Sequence, residues 1–280
     1  MKLGLYGINF GVCTQPDDVV RVARAAEAGG FESVWTAEHV VLPDPQVPPS
    51  PVPAHVPILD PAVALAFVAA HTTRIRLATG IVILPQRNPV VLAKEMASLD
   101  VLSKGRLILG VGVGYLKPEF DAIGADFAHR GARMDEYLDA IVALWTQPKP
   151  AFAGETIRFA GIDAQPRPLQ RPHPPIVIGA TTPPAWRRTV ARANGWYGFA
   201  MDPDTTRRQI EGLAVAARGI ERPAALGPLA YTVTPPPGPI DRDGVARYAD
   251  LGVERLVLLP LARSADELVA FVERSAEAVA

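Results

Sequence analysis

The sequence predicts an α/β chain folded as a parallel (β/α)8 TIM barrel. Three observations carry this reading. Short runs are apolar on consecutive positions, as strands covered on both faces are. Each run is followed by a helical segment, several opening on a capping residue and a proline. Eight such units share 280 residues, about 35 residues each. A doubly wound open sheet uses the same alternation, but eight units favour closure. The whole chain, 1–280, reads as one domain with two insertions at the C-terminal face of the barrel.

In order, the expected strands are KLGLYGI (2–8), SVW (33–35), RIRLATGIVI (74–83), RLILGVG (106–112), PIVIGA (175–180), GWYGFA (195–200), GPLAYTV (227–233) and ERLVLLP (254–260). The expected helices span 16–29, 60–70, 89–103, 131–146, 183–193, 203–218, 241–250 and 264–279. Their starts are marked by Gln15-Pro16 (with Thr14 as the better cap), Asp60-Pro61, Asn88-Pro89, Thr182-Pro183 and Asp202-Pro203, and by a capping box from Ser264 to Glu267. Eight of the 29 prolines fall between Pro43 and Pro61. The insertion 41–59 that holds most of them has neither helical nor strand period and is expected to be a lid. The stretch 149–168 fits no barrel unit and reads as an inserted hairpin.

Composition excludes several classes. With 28 basic and 29 acidic residues, no cationic excess exists to neutralise a phosphate backbone, so nucleic acid is not an expected partner. A single cysteine, Cys13, rules out a disulfide framework and a cysteine-based zinc site. The histidines and carboxylates show no metal-ligand spacing. No long apolar run and no signal-peptide shape is present, so a cytoplasmic protein without a membrane partner is expected. No nucleophile elbow, triad or paired-carboxylate pattern appears.

In a barrel, chemistry gathers where the strands end. Glu38 and His39 end the second strand and open the proline-rich insertion. Histidine there can donate a hydrogen bond to a cofactor or move a proton near neutral pH. Gly110-Val111-Gly112-Val113-Gly114 follows a strand but fails the dinucleotide fingerprint, because Tyr115 and Lys117 stand where glycine is needed. It reads instead as a glycine-lined strand end that a flat ligand can approach. Gly179, Ala180, Thr181 and Thr182 join small residues, two hydroxyls and a helix start, a combination suited to an anion.

Four segments, SVWTAEHV (33–40), RLATGIVILPQRNPVVLAKEMASLDVLSKGRLILGVGVGYLKPEF (76–120), HRGARMDE (129–136) and PPIVIGATTPPAWRRTVARANGW (174–196), resemble the bacterial luciferase-like superfamily, whose members use FMN or the deazaflavin F420. The resemblance runs over essentially the whole chain. It implies an oxidoreductase acting on a small organic substrate, with F420 as cofactor. The alternative is a monooxygenase using reduced FMN and O2. A barrel that binds a ligand without turnover is the remaining class. It also implies a non-prolyl cis peptide at Gly80–Ile81 behind the cofactor ring, with Thr79, Gly80, Ile81, Gly112 and Tyr115 around it. The ring-proximal acid and histidine map to Glu38 and His39, and phosphate contacts map to Arg133 and Gly179–Thr182. Tyr115 stands where sugar-phosphate dehydrogenases of the family carry a glutamate, so that activity is not expected. A homodimer and a separate flavin or F420 reductase complete what the resemblance implies.

Overall fold

The computed structural model describes residues 1–279. Its strands are β1 (Lys2–Tyr6), β2 (Ser33–Thr36), β3 (Arg76–Thr79), β4 (Val82–Ile83), β5 (Leu107–Gly112), β6 (Phe152–Ala153), β7 (Arg158–Phe159), β8 (Ile176–Gly179), β9 (Gly195–Gly198), β10 (Ala230–Val233) and β11 (Val253–Leu258). Its helices are α1 (Pro16–Ala28), α2 (Pro61–His71), α3 (Pro89–Leu102), α4 (Lys117–Ala122), α5 (Arg130–Thr146), α6 (Pro183–Arg192), α7 (Pro203–Ala217), α8 (Arg242–Ala249) and α9 (Ala265–Val279).

The sheet runs β3-β2-β1-β11-β10-β9-β8-β5, and pairing of Leu77 with Leu107 and of Ala78 with Ile108 closes it. The result is an eight-staved parallel barrel with alternating helices, as the sequence predicts. β4 continues the third stave beyond the Gly80–Ile81 bond, which is cis. The expected strand 74–83 is therefore two short strands. The second pairs only with β5, through Val82–Val111 and Ile83–Gly112. β6 and β7 form the expected antiparallel hairpin. No helix among the described residues is long and apolar enough to cross a membrane.

Outward-facing strand residues such as Leu5, Val34, Leu77, Leu109 and Ile178 pack beneath the helices. Each fully buried side chain of this size contributes about 1.5–3 kcal/mol. The barrel interior is a separate plug of Trp35, Ala78, Ile108, Val177, Tyr197 and Val257. Trp35 stacks on Tyr197 with ring centroids 5.1 Å apart. On the N-terminal side, Arg255 closes the barrel with a bidentate pair to Glu32 at 2.8 Å. Everything bound by the barrel must therefore sit on the C-terminal side of the plug.

Helix starts follow the capping signals in part. Asp60, Asn88 and Asp202 accept hydrogen bonds from the first turns of α2, α3 and α7. Ser264 Oγ accepts from Glu267 N–H at 3.2 Å. Gln15 and Thr182 make no cap bond, and Thr14 spends its hydroxyl on Gly11 at 2.7 Å. A short helix the sequence reading lacked, α4, follows β5. Pro118 in its first turn and an i,i+4 Lys117–Asp121 pair at 2.7 Å support it.

Candidate active site

His39 leaves the end of β2 with its side chain only 9% exposed. Both ring nitrogens are engaged. Nδ1 lies 3.2 Å from Glu119 Oε2. Nε2 lies 3.4 Å from the Tyr115 hydroxyl, with the two rings edge to face. Glu119 is fully buried on α4 and also accepts from the Val40 N–H at 2.5 Å. Its carboxylate fixes the tautomer that carries hydrogen on Nδ1. Tyr115 is 48% exposed, and partial burial together with the nearby Glu119 raises its pKa. The arrangement is an acid–imidazole–phenol chain running from the interior to the barrel mouth.

Glu38 and His39, mapped together as the ring-proximal acid and histidine, do not meet. Neighbours on an extended backbone diverge, and Glu38 turns to accept from Arg87 Nε at 2.8 Å and from the Ile83 N–H. Burial pushes the Glu38 carboxyl up, opposed by the Arg87 guanidinium and the Ile83 N–H. Arg87 also donates to Asp60 at 2.7 Å. Glu38 and Asp60 flank the 41–59 insertion, so Arg87 ties its two ends together. Asn9 makes a second tie, donating to Ala37 O at 2.9 Å and Leu59 O at 2.6 Å. Glu38 is thus a structural anchor of the loop beside the site.

At the ends of β3, β5 and β8 the positions facing the interior are Gly80, Gly112 and Gly179. A Cβ at Gly80 would sit 2.9 Å from Thr36 O, and one at Gly112 would sit 2.5 Å from Ile81 Cδ1. The Ile81 side chain therefore lies over the glycine wall. Thr79 is not available to a ligand through its hydroxyl, which donates to Gly110 O at 2.7 Å and accepts from Gly110 N–H at 2.8 Å. From β1, Tyr6 reaches Phe199 beyond β9, with centroids 5.0 Å apart, covering the plug with a second aromatic layer. Burial raises the Tyr6 pKa, and Tyr115 is near enough to add to the effect.

Thr181 and Thr182 are exposed. The Thr182 hydroxyl makes no cap bond, while α6 opens on Pro183 and Pro184, which carry no N–H. An anion there depends on the loop N–H groups and hydroxyls more than on the helix end. Beside it, the first turn of α5 is fastened to α6 by Arg188, which donates to Gly131 O at 2.8 Å and to Asp135 at 2.6 Å. Arg133 projects from that turn with a buried Nε that has no partner. A buried, unpaired guanidinium nitrogen is costly unless an acceptor arrives. Arg133 and the Gly179–Thr182 loop therefore fit a cofactor phosphate, and the glycine wall fits a flat ring.

Sequence reasoning selected His39, Gly80, Ile81, Gly112, Gly179 and Arg133 but missed Glu119, Arg87, Asn9 and Tyr6. The signal for Glu119 was present in Pro118 and the i,i+4 charge pair that start α4. Tyr115, expected against the cofactor, is brought to His39.

Comparison with known proteins bears on the family and the fold. A family model described as luciferase-like monooxygenase matches residues 7–240. An uncharacterized protein of Mycobacterium tuberculosis is 35% identical over 269 residues, 92% of this chain and 92% of its own. The oxygenase component of the flavin-dependent trigonelline monooxygenase of Acinetobacter baylyi is 32% identical over 169 residues, 60% of this chain and 44% of that protein. Among solved structures, an F420-dependent secondary alcohol dehydrogenase superposes with a TM-score of 0.82 at 15% identity, covering 100% of this chain and 99% of that one. The family match over residues 7–240 of this barrel makes the chain a member of the luciferase-like monooxygenase family.

Proposed function

We propose that the chain is an oxidoreductase that transfers a hydride between the deazaflavin F420 and a small organic substrate. The observation that carries this reading is the Glu119–His39–Tyr115 chain at the barrel mouth. Hydride transfer to or from an oxygen-bearing carbon leaves a charge that a proton must balance, and this chain supplies a route for it. When bound, the deazaflavin supplies the hydride. Gly80, Ile81, Gly112 and Gly179 give its ring a bed, and Arg133 with Thr181 and Thr182 take its phosphate. The 41–59 loop, fastened by Arg87 and Asn9, keeps water from the mouth.

A second reading is a monooxygenase using reduced FMN delivered by a separate reductase. Similarity to the trigonelline monooxygenase component supports it. Titration with F420 and with FMN, followed by fluorescence, tests the two readings. Micromolar binding of F420 alone supports the first, binding of FMN alone supports the second, and binding of neither overturns both.

A further inference from the structure

We propose that Tyr115 is the catalytic proton donor to the substrate, and that the substrate is a neutral carbonyl compound with a flat, apolar body. The inference rests on the hydride-transfer reading above.

His39 cannot easily meet a substrate itself. Its side chain is 9% exposed, Nδ1 faces Glu119, and Nε2 faces the Tyr115 hydroxyl. Tyr115 stands between that imidazole and the open mouth, and it is 48% exposed. The group that touches a substrate oxygen is therefore the phenol, with His39 acting behind it and Glu119 holding His39 in place. The 3.4 Å contact is long for a hydrogen bond, as such contacts often are before a substrate closes the site.

The surroundings set the substrate class. Tyr6 and Phe199 form an aromatic layer beside the glycines, and Ile81 lies over Gly112 and Gly179. Arg87 and Arg130 are occupied. Arg87 is held by Glu38 and Asp60, and Arg130 donates to Gly114 O at 3.2 Å and Phe127 O at 2.8 Å. Arg133 is taken by the cofactor phosphate in this reading, so a carboxylate or phosphate on the substrate, set against the aromatic layer, would lose its hydration without a cation of its own. An apolar ring or chain loses nothing and covers the Tyr6–Phe199 layer. A carbonyl oxygen supplies the one acceptor that the Tyr115 hydroxyl needs.

The carbonyl carbon receives two electrons and one hydrogen as hydride from the reduced deazaflavin, forming a C–H bond. The C=O π bond breaks and its electron pair stays on oxygen. That oxygen takes the Tyr115 proton, and the phenolate left behind regains a proton from solvent, with His39 Nε2 facing it as the relay. His39 keeps its Nδ1 on Glu119 throughout, and solvent supplies the proton after the product leaves and the mouth reopens. The product is the alcohol.

The test uses the full chain loaded with oxidised F420, so that no turnover occurs, and cyclohexanone as probe. Bound cyclohexanone should show a carbonyl infrared band shifted to lower frequency. Tyr115→Phe keeps the ring against His39 and should abolish the shift while F420 affinity stays within about twofold of wild type. With reduced F420, single-turnover reduction should fall roughly 10²-fold or more in the variant. An unshifted carbonyl in wild type, a shift that survives in Tyr115→Phe, or tighter binding of a carboxylated cyclohexanone would overturn the proposal. Failure to bind F420 at all would instead overturn the hydride-transfer reading, and the two failures are distinguishable.

Discussion

Glu119 and His39 stand 80 positions apart in the chain, and their side chains meet at 3.2 Å inside the barrel mouth. The contact exists because α4 follows β5 directly and turns its first residues back over the end of β2. A buried carboxylate against one imidazole nitrogen leaves the other nitrogen to work toward the mouth.

The first prediction concerns this pair. His39→Ala should lower turnover by about 10²–10⁴-fold with little change in cofactor affinity. Glu119→Gln should lower turnover in the same direction and should do so without loosening the Glu38–Arg87 anchor. Glu38→Gln should leave the pH–rate profile in place, because Glu38 faces Arg87 and Ile83. Steady-state rates across pH for the three variants check this. A Glu38→Gln profile shifted while that of Glu119→Gln stays fixed would reverse the assignment.

The barrel was legible in the sequence because buried parallel strands leave runs of consecutive apolar residues and because Asp60, Asn88 and Asp202 announce their helices. His39 was legible because a strand end in a barrel is where chemistry gathers. Glu119 left only Pro118 and the Lys117–Asp121 spacing as a trace, because α4 has six residues and too few positions to show a helical period. The partner of Glu38 was not legible. Adjacent residues look coupled in a sequence, yet an extended backbone sends them apart. Long-range ties such as Asn9 to Leu59 leave no local pattern at all.

The loop anchors yield a second prediction. Removing one partner of a buried ion pair costs up to about 3–5 kcal/mol. Glu38 is nearly fully buried and Arg87 keeps Asp60 as a second acceptor, so Glu38→Gln should fall toward the low end of that range. Arg87→Ala releases both ends of the insertion, and cleavage within 41–59 by a nonspecific protease should then accelerate. Mass spectrometry of the fragments locates the cuts. Cleavage no faster than wild type would show that the ties at Asn9 suffice.

A third prediction links acid stability to the plug. Burial opposes the charged form of Glu32, but the Arg255 guanidinium more than offsets it and lowers the Glu32 pKa. A lowered folded-state pKa adds stability that is present above the ordinary value of 4.5 and is lost as pH falls through the folded value. The melting temperature should therefore fall on acidification below about pH 4.5, and Glu32→Gln should flatten that fall while lowering the melting temperature at neutral pH. Thermal unfolding between neutral and acid pH measures both.

A fourth prediction concerns assembly. α2 reads PAVALAFVAAH and exposes Val63 and Phe67, 68% and 40% accessible, on one face. α3, packed beside it, exposes Val91 at 54%. A helix apolar on its outer face is normally covered. The chain should sediment as a homodimer at micromolar concentration, and Val63→Glu with Val91→Glu should make it a monomer without lowering the helical signal in circular dichroism. A wild-type monomer would exclude this face as an interface.

The last prediction separates the cofactor bed from the scaffold by two glycines on one strand. Gly110 and Gly112 both lie in β5, and both face the interior. A Cβ at Gly110 would meet Thr79 O at 1.9 Å. That oxygen is backbone, and Thr79 is further pinned by its two hydrogen bonds to Gly110, so nothing there can yield. Gly110→Ala should destabilise the barrel outright. A Cβ at Gly112 would meet Ile81 Cδ1 at 2.5 Å, the far end of a side chain that can rotate. Overpacking of this kind costs about 1–3 kcal/mol, so Gly112→Ala should fold. The displaced Ile81 no longer lies flat over Gly112 and Gly179, and it must project toward the space above them. Cofactor affinity should fall at least tenfold, which corresponds to about 1.4 kcal/mol. Ile81→Ala placed in the Gly112→Ala background removes the obstructing methyl groups and should recover much of the lost affinity. Fluorescence titration of the single and double variants, with melting temperatures alongside, decides the matter. If affinity and stability fall together in Gly112→Ala and the second substitution rescues neither, the glycine wall belongs to the scaffold and the ring lies elsewhere.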